Sequence, residues 1–529
     1  MTRKPLVLSR ISILSSTLNN LDDVKSLLNL NQEKRCFTYS VDGPKLQKHI
    51  PNFKSIKVLD PFAGSGNLIF ESSRLGLDCY ASDYNPLAYL ILKSTLEYPK
   101  KYSKTLVDDI EKFGTELIVN TKSDLENFFD SNTLCYVWLW CVKCTHCGQK
   151  IPLTNNIWVS RKQGLGFKII PEDLDFKIIL IENISEKDAS KFTKKGGRAI
   201  CIKCNNSLDY QDITDSVKKH KERRMAFVKT NSGFRLPTKL DLNSYETAQN
   251  FIDKNWDKYV ELDHIPLDEI KSDPRSGIKN YGIVHWYQYF SKRQLLVFVT
   301  LIENIERILT KIPDEEYRKV IATYLTLILG KHLDANSYGV HWHTGTDGPE
   351  LTLAFRRTNF VFNHAEPNPF GKIRGNLQSI LNDIVNAVKF CVNSNASAHI
   401  SFESVLSLNY DAKFDIILAD PPNANDIQFA EQSEFFYVWM SKILHRHYSE
   451  LPQKISIDED LSDSPGRFGD RKLALVFYEK GLVSGLAKLN SLLKKEGLLL
   501  LYFSLSHPSV WKILINILHE SQFQVTNLL

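Results

Sequence analysis

IKVLDPFAGSGNLIF, residues 56–70, is the stretch on which the reading of this chain turns. A short apolar run over residues 56–59 leads into Asp60. A turn carrying Gly64 and Gly66 follows, then a helix expected to begin near Asn67. Glycines let the backbone turn sharply and approach a ligand closely. Strand, glycine turn and helix together are how an open α/β sheet meets a nucleotide at the carboxyl end of its first strand. The spacing is not the six-residue dinucleotide fingerprint, and no Lys-Ser/Thr of a phosphate-binding loop follows. A tight strand–helix turn with no ligand is the plain alternative.

Working outward, LGLDCYASDYNPLAYLI (residues 75–91) reads as a second strand over 78–81 that ends in Ser82-Asp83. An acidic residue at that point, about 20 residues after the glycine loop, is placed to bond ribose hydroxyls. Glycine loop and acidic partner together point to an adenosine-containing ligand. Far downstream, FDIILA (residues 414–419) reads as another strand, running into Asp420-Pro421-Pro422-Asn423.

VLDPFAGSGN, ASDYNPLA and ADPPN, in that order, resemble the class I S-adenosylmethionine-dependent amino-methyltransferases. With a cysteine-rich segment between them and EFFYVWM after Asp-Pro-Pro, the ordering is similar to a narrower group, the adenine-specific DNA methylases that contain a zinc ribbon. WLWCVKCTHCGQKIPL, YGIVHWYQYFSKRQL and FNHAEPNPFG extend the likeness from about residue 58 to the C-terminus. The resemblance implies an α/β fold: a Rossmann-like, mostly parallel sheet interrupted by a zinc-ribbon and helical insertion. It implies S-adenosylmethionine as cofactor, DNA as partner, and the N6 amine of adenine as acceptor, in restriction-modification or phage defence. On the matching positions it assigns the cofactor to Asp60, Pro61, Phe62, Ala63, Gly64, Gly66, Asp83, Tyr84 and Ser404, and catalysis to Asp420, Pro421, Pro422 and Asn423.

The chemistry explains the tetrapeptide. An exocyclic amine is a poor nucleophile because its lone pair is delocalised into the ring. Asp420 and the Pro421 carbonyl can each accept one N–H, and prolines pre-aim both acceptors without offering a competing donor. The cofactor carries the reactive methyl, and the protein orients. A duplex base must also be flipped out and gripped, and stacking on an aromatic ring is worth about 1–3 kcal/mol. The family tetrapeptide usually ends in an aromatic residue, whereas this one ends in Asn423. Phe429, Phe435 and Phe436 are the substitutes within reach, the last two at core-like helical spacing. A second departure is Glu403-Ser404, where the family has Gly-Asp beside the cofactor adenine.

Five of nine cysteines lie between Cys141 and Cys204. Cys144/Cys147 and Cys201/Cys204 form two C-x-x-C pairs, each able to sit on a tight turn, and four thiolates suit tetrahedral structural zinc. The linking segment is longer than the about 15–20 residues of common ribbons. Buried free thiols are the alternative. Cys141 is a spare candidate, and His146 is expected to be exposed.

Elsewhere, KKHKERRMAFVK (residues 218–229) and Lys191, Lys194, Lys195 and Arg198 fit either phosphate tracking or a solvated face. Residues 291–331 show two amphipathic helical patterns. FNHAEPNPFG is expected as a loop near the active site. His341 and His343 are assigned no ligand role. Residues 376–392 read as a helix, 398–408 as strand three, KLNSLLKKEGLLLLYFSL as a helix, a glycine turn and strand five, and FQVTNLL as a last strand. The resemblance puts an antiparallel strand after it, so a partner chain or second copy is expected at that sheet edge.

The expected division is 1–50, an N-terminal segment; 51–130 and 376–529, the two halves of a methyltransferase unit; 131–240, the ribbon; and 241–375, a helical insertion for target recognition. Net charge is only +5 over 529 residues, which permits nucleic-acid binding without arguing for it. No apolar run is long enough to span a membrane, and no signal peptide is read, so a cytoplasmic protein is expected. Two other functions stay open: a catalytically silent DNA-recognition subunit, and an RNA or cytosine-N4 methyltransferase.

Overall fold

Strands that alternate with helices build a mostly parallel sheet, because each crossover must pack a helix back onto it. The structure, a computed structural model, describes residues 5–18, 21–28, 30–31, 36–37, 55–189, 193–271, 277–394, 396–423, 427–503 and 508–527. Helix α1 (Leu6–Thr17) lays Ile13 and Leu14 into the same core as Val58 and Ile416. Its Arg10 meets Glu71 at 2.8 Å, both side chains fully buried. Strand β1 (Lys57–Asp60), the glycine turn and α2 (Asn67–Arg74) follow as expected, then β2 (Asp78–Ser82) and α3 (Pro86–Leu92). Asn85 caps α3, its side chain accepting from the Leu87 N–H at 3.0 Å. A long helix, α4 (Tyr98–Asp124), leads into the insertion.

The insertion is built on β3 (Thr133–Lys143), a central strand flanked antiparallel by β4 (Arg223–Thr230) and β5 (Asn363–Pro367). Cys135, Val137, Leu139 and Cys141 share one core cluster, while Tyr136 and Trp138 belong to another on the opposite face. Cover on both faces is why this strand reads as an unbroken apolar run rather than an alternating one. Between β3 and β4 lie a three-stranded antiparallel sheet (Trp158–Ser160, Leu165–Glu172, Asp175–Ile181), the cysteine pairs and α5 (Tyr210–His220). Helices α6 (Lys239–Lys254), α7 (Lys292–Leu309) and α8 (Glu315–Ala335) complete the insertion. Helices α7 and α8 fall on the two expected patterns, but residues 293–302 of α7 are all buried, so this part is enclosed rather than half-solvated.

FNHAEPNPFG is not a loop. Residues 363–367 are strand β5, and its polar groups are used inside the insertion. Glu366 accepts from Arg293 Nε at 2.8 Å and from Trp138 Nε1 at 2.9 Å, and Asn368 Nδ2 donates to the Thr133 carbonyl at 2.8 Å. A carboxylate enters a strand core when a buried arginine neutralises it, a pairing that local pattern cannot reveal.

The chain returns through α9 (Leu377–Ser394) to β6 (His399–Ser401), much shorter than the expected 398–408, then β7 (Phe414–Ala419) and α10 (Phe429–Leu444). Helix α11 (Arg471–Leu492) runs directly into β8 (Leu493–Leu501), followed by α12 (Pro508–Glu520). The expected glycine turn sits inside β8, where pairing with β7 skips from Phe414–Leu493 to Ile416–Leu498. The parallel sheet has the order β6-β2-β1-β7-β8. Val58, Ile416 and Leu418 face α1 and α2, whereas Leu59, Ile417 and Ala419 face α11 and α12. This is the doubly wound, Rossmann-like sheet of a class I methyltransferase fold. FQVTNLL forms no strand over residues 523–527. Gln522 adopts a left-handed turn and the Phe523 N–H folds back to the Leu518 carbonyl at 2.9 Å. No described helix is long and apolar enough to cross a membrane.

Candidate active site and metal centre

Chain order reverses between β1 and β7, and at such a switch point the loops leaving the two strands diverge and open a crevice. The crevice here holds about 1050 Å³ of non-atom space, its open mouth included. Asp60, Pro61, Phe62, Ala63 and Gly64 from the first loop line it, as do Asp83 and Tyr84 after β2, Ser404 after β6, and Asp420 and Pro422 after β7. Ten of the thirteen residues that the resemblance singled out therefore meet on one wall. Gly66, Pro421 and Asn423 do not line it.

The two glycines have different reasons. Gly64 (φ +52°) is on the wall, and a Cβ there would meet nothing nearer than the Phe62 carbonyl oxygen at 3.8 Å. Gly66 (φ +77°) stands behind it, where a Cβ would come within 2.7 Å of Leu92 Cδ2. Asp83 fastens the glycine loop. One carboxylate oxygen accepts the Gly64 N–H at 2.7 Å, the other the Asn85 N–H at 2.8 Å. Burial pushes Asp83 up to about 6, with those two backbone bonds pulling the other way and Asp460 adding to the rise. Asp60 is pushed well above the carboxylate range by burial, opposed by the Phe62 N–H, with Asp420 and Asp83 raising it further. The wall thus concentrates carboxylates, which favours a cationic occupant.

Part of the wall had no sequence signal. Residues 455–461 supply Ile455, Ser456, Glu459, Asp460 and Leu461. Asp460 is held by the Ala430 N–H at 2.9 Å and by Arg467 Nη2 at 3.1 Å. Of the three aromatic substitutes, Phe429 lines the pocket. Phe435 is 0% exposed, packed against Trp286, Tyr289 and Phe290, and Phe436 packs beside it. Gln428, just before Phe429, is 2% exposed with both amide atoms lacking a hydrogen-bond partner.

The sulfurs of Cys144, Cys147, Cys201 and Cys204 all lie within 4.8 Å of one another. Two knuckles repeat the same turn. The Cys144 N–H bonds the Gln149 carbonyl at 2.8 Å and the Gly148 N–H bonds Cys144 O at 3.0 Å. The Cys201 N–H bonds Asn206 O at 2.9 Å and the Asn205 N–H bonds Cys201 O at 3.1 Å. Gly148 and Asn205 both take the left-handed conformation such turns require. A tetrahedron with Zn–S of about 2.3 Å has S···S edges of about 3.8 Å. The Cys144–Cys204 and Cys147–Cys201 sulfurs stand 3.7 and 3.6 Å apart, so the donor set fits zinc. Four thiolates leave no open position for catalysis. Cys141 faces a different core cluster, and His146 is exposed.

Residues 43–136 match the family model of the D12 class N6 adenine-specific DNA methyltransferases. The matched stretch spans the glycine loop, β2 and Asp83, and ends before both the cysteines and Asp420. No curated protein and no solved structure matches the chain.

Proposed function

We propose that this chain, a class I methyltransferase fold similar over residues 43–136 to the D12 class N6 adenine-specific DNA methyltransferases, transfers a methyl group from S-adenosylmethionine to the N6 amine of adenine in DNA. The observation that carries the proposal is the meeting of three sequence motifs, more than 300 residues apart at the extremes, in one crevice at the switch point. S-adenosylmethionine, when bound, supplies a methyl group activated by a cationic sulfonium. The residues present suit it. The Gly64 turn gives backbone close approach, Asp83 can accept from ribose hydroxyls, and Asp420 offsets positive charge. Asp420 accepts one amine N–H from the wall, and the Pro421 carbonyl, which does not line the crevice, is the second acceptor that the resemblance implies. Phe429, rather than residue 423, gives the flipped base a ring to stack on. The four thiolates hold structural zinc and do no chemistry.

In this reading residues 51–130 and 376–529 form the methyltransferase unit, and 131–240 and 241–375 are insertions that carry the ribbon and the target-reading elements. The setting is restriction-modification or phage defence in the cytoplasm. A partner chain or second copy covers β8, the outer strand of the described sheet. One observation favours a second reading, a silent DNA-recognition subunit: Asn423 is off the pocket wall. Labelled S-adenosylmethionine with DNA, followed by digestion and identification of the modified base, tests both. Labelled N6-methyladenine supports the enzyme. Cofactor binding without transfer supports the silent subunit, and transfer only to RNA or to cytosine N4 replaces the substrate.

A further inference from the structure

One face of the insertion's sheet, packed beside the cysteine site, carries polar groups that the crevice does not use. Arg223 of β4 pairs across to Trp140, and His364 of β5 to Trp138, so these side chains share a face. The Arg223 guanidinium lies 4.7 Å from the Tyr338 ring centre and 5.5 Å from that of Trp140. It donates to the Tyr245 hydroxyl at 2.5 Å, yet its Nη1 is buried without a partner, and no described carboxylate forms an ion pair with it. The Trp140 Nε1–H is likewise unpartnered in a side chain 3% exposed. Buried donors are normally satisfied, so open donors mark this floor as polar rather than purely apolar.

The outer rim of the same cluster is aromatic and partly exposed. Tyr281 and Phe360 stack at 4.0 Å and 9°, Phe360 lies 4.7 Å from Trp140, and Trp140 lies 5.2 Å from Tyr338. Tyr281, Tyr338 and Phe360 are all only partly buried. Cations border the rings. Lys194 Nζ is 4.3 Å over Phe362, and Lys218 lies against Gly282, the neighbour of Tyr281. Neither lysine forms an ion pair among the described residues.

We propose that this aromatic ladder is a DNA-docking face: its rings take bases unstacked beside the flipped adenine, and Lys194, Lys218 and Arg223 take the phosphates and acceptor edges of that strand. Stacking platforms lined by cations are how proteins hold single-stranded nucleic acid. The face is fastened to the crevice. The Tyr338 N–H donates to the Tyr289 carbonyl at 2.9 Å, and the Tyr289 ring is 5.9 Å from Phe435 of α10, whose first turn lines the pocket. The identity of the strand rests on the DNA-methylation reading.

The test measures binding of a fluorescent single-stranded oligonucleotide, and of a duplex with one unpaired adenine, to the zinc-loaded full chain by anisotropy. Tyr281→Leu and Phe360→Leu, which keep apolar volume and lose the ring, are expected to weaken binding about tenfold or more each. Lys194→Gln is expected to flatten the slope of log affinity against log salt by about 0.7. S-adenosylmethionine affinity by calorimetry and the melting temperature stay at the wild-type values. Wild-type oligonucleotide affinity and salt slope in all three variants would overturn the docking face. The two readings separate cleanly. Methyl transfer with undiminished binding in Tyr281→Leu sinks the docking face alone. Tight wild-type binding, lost in Tyr281→Leu, without any methyl transfer sinks the enzyme alone and keeps the face.

Discussion

Alanine at Gly64 and alanine at Gly66 should fail in different ways, because the two glycines answer different needs. At Gly66 the backbone is left-handed (φ +77°), which costs a residue with a Cβ about 1–2 kcal/mol. The new Cβ would also sit 2.7 Å from Leu92 Cδ2 and 3.5 Å from Leu96 Cδ1. Both leucines are 0% exposed, so neither can swing into solvent. Overpacking of that kind adds about 1–3 kcal/mol. The sum, about 2–5 kcal/mol, is a large part of the about 5–15 kcal/mol that holds a domain folded. At about 2–4 °C per kcal/mol it lowers the melting temperature by roughly 4–20 °C. At Gly64 (φ +52°) the nearest atom is 3.8 Å away, so only the backbone term of about 1–2 kcal/mol remains. The added methyl there, however, projects from the pocket wall. Gly64→Ala should therefore keep most of the melting temperature while losing affinity for S-adenosylhomocysteine in calorimetry. Gly66→Ala should lose melting temperature first. Equal destabilisation by the two, or full ligand affinity in Gly64→Ala, would refute the assignment of Gly64 to the ligand and Gly66 to the core.

Phe429→Ala is expected to lower kcat/KM on adenine-containing DNA about tenfold or more through lost stacking, with S-adenosylmethionine affinity unchanged by calorimetry; an unaltered rate removes Phe429 from the base. Asp83 has a folded pKa of about 6 against 3.8 unfolded, so the fold binds its proton more tightly, and stability from this group is present below about pH 4 and lost as pH rises through 6. The span is at most about 3 kcal/mol, read as a falling urea midpoint between pH 4 and 6 that Asp83→Asn flattens. Metal analysis should find one zinc bound by Cys144, Cys147, Cys201 and Cys204; Cys204→Ser or a strong chelator should release it and loosen the packing around Trp140, seen as lost near-ultraviolet dichroism.

What could be read from residues alone divides along a physical line. The glycine loop, β2 with Asp83, β7 with Asp420 and the cysteine knuckles are local devices. Each needs a particular residue type within a few positions, so each leaves a mark in the sequence. The mostly parallel character of the sheet also followed, since each crossover must pack a helix back onto it. Non-local compensation was not legible. Glu366 looked like part of a polar loop because its partner Arg293, 73 residues away in the chain, comes before it in an enclosed helix. Residues 455–461 reach the pocket only because Arg467 and Asp460 fold that segment over α10. FQVTNLL has strand-like composition, yet a left-handed Gln522 turns it back onto α12 with Val525 58% exposed. Arg223 sat in a basic run that fitted either phosphate tracking or a solvated face, and its guanidinium is ringed by Trp138, Trp140, Tyr245 and Tyr338, which the run did not reveal.

The insertion and the crevice are one mechanical unit, which bears on how target and chemistry could be linked. Lys271 reaches from the insertion to the carbonyl of Ile455 at 2.5 Å, and Ile455 lines the pocket. The same ammonium lies 3.4 Å from Glu434 on α10, which also accepts from Trp286 Nε1 at 3.3 Å. Glu434 is pushed up by burial and drawn back down by Lys271, so its charge depends on a residue outside the parallel sheet. A displacement of the insertion would disturb the Ile455 wall and α10 together, one turn from Phe429. A nucleic acid pressed against the Tyr281–Phe360 rings would bear on Tyr289 and Phe435, and so on the helix that opens the pocket. Coupling of this kind needs no long-range signal, because a single packed helix carries both contacts.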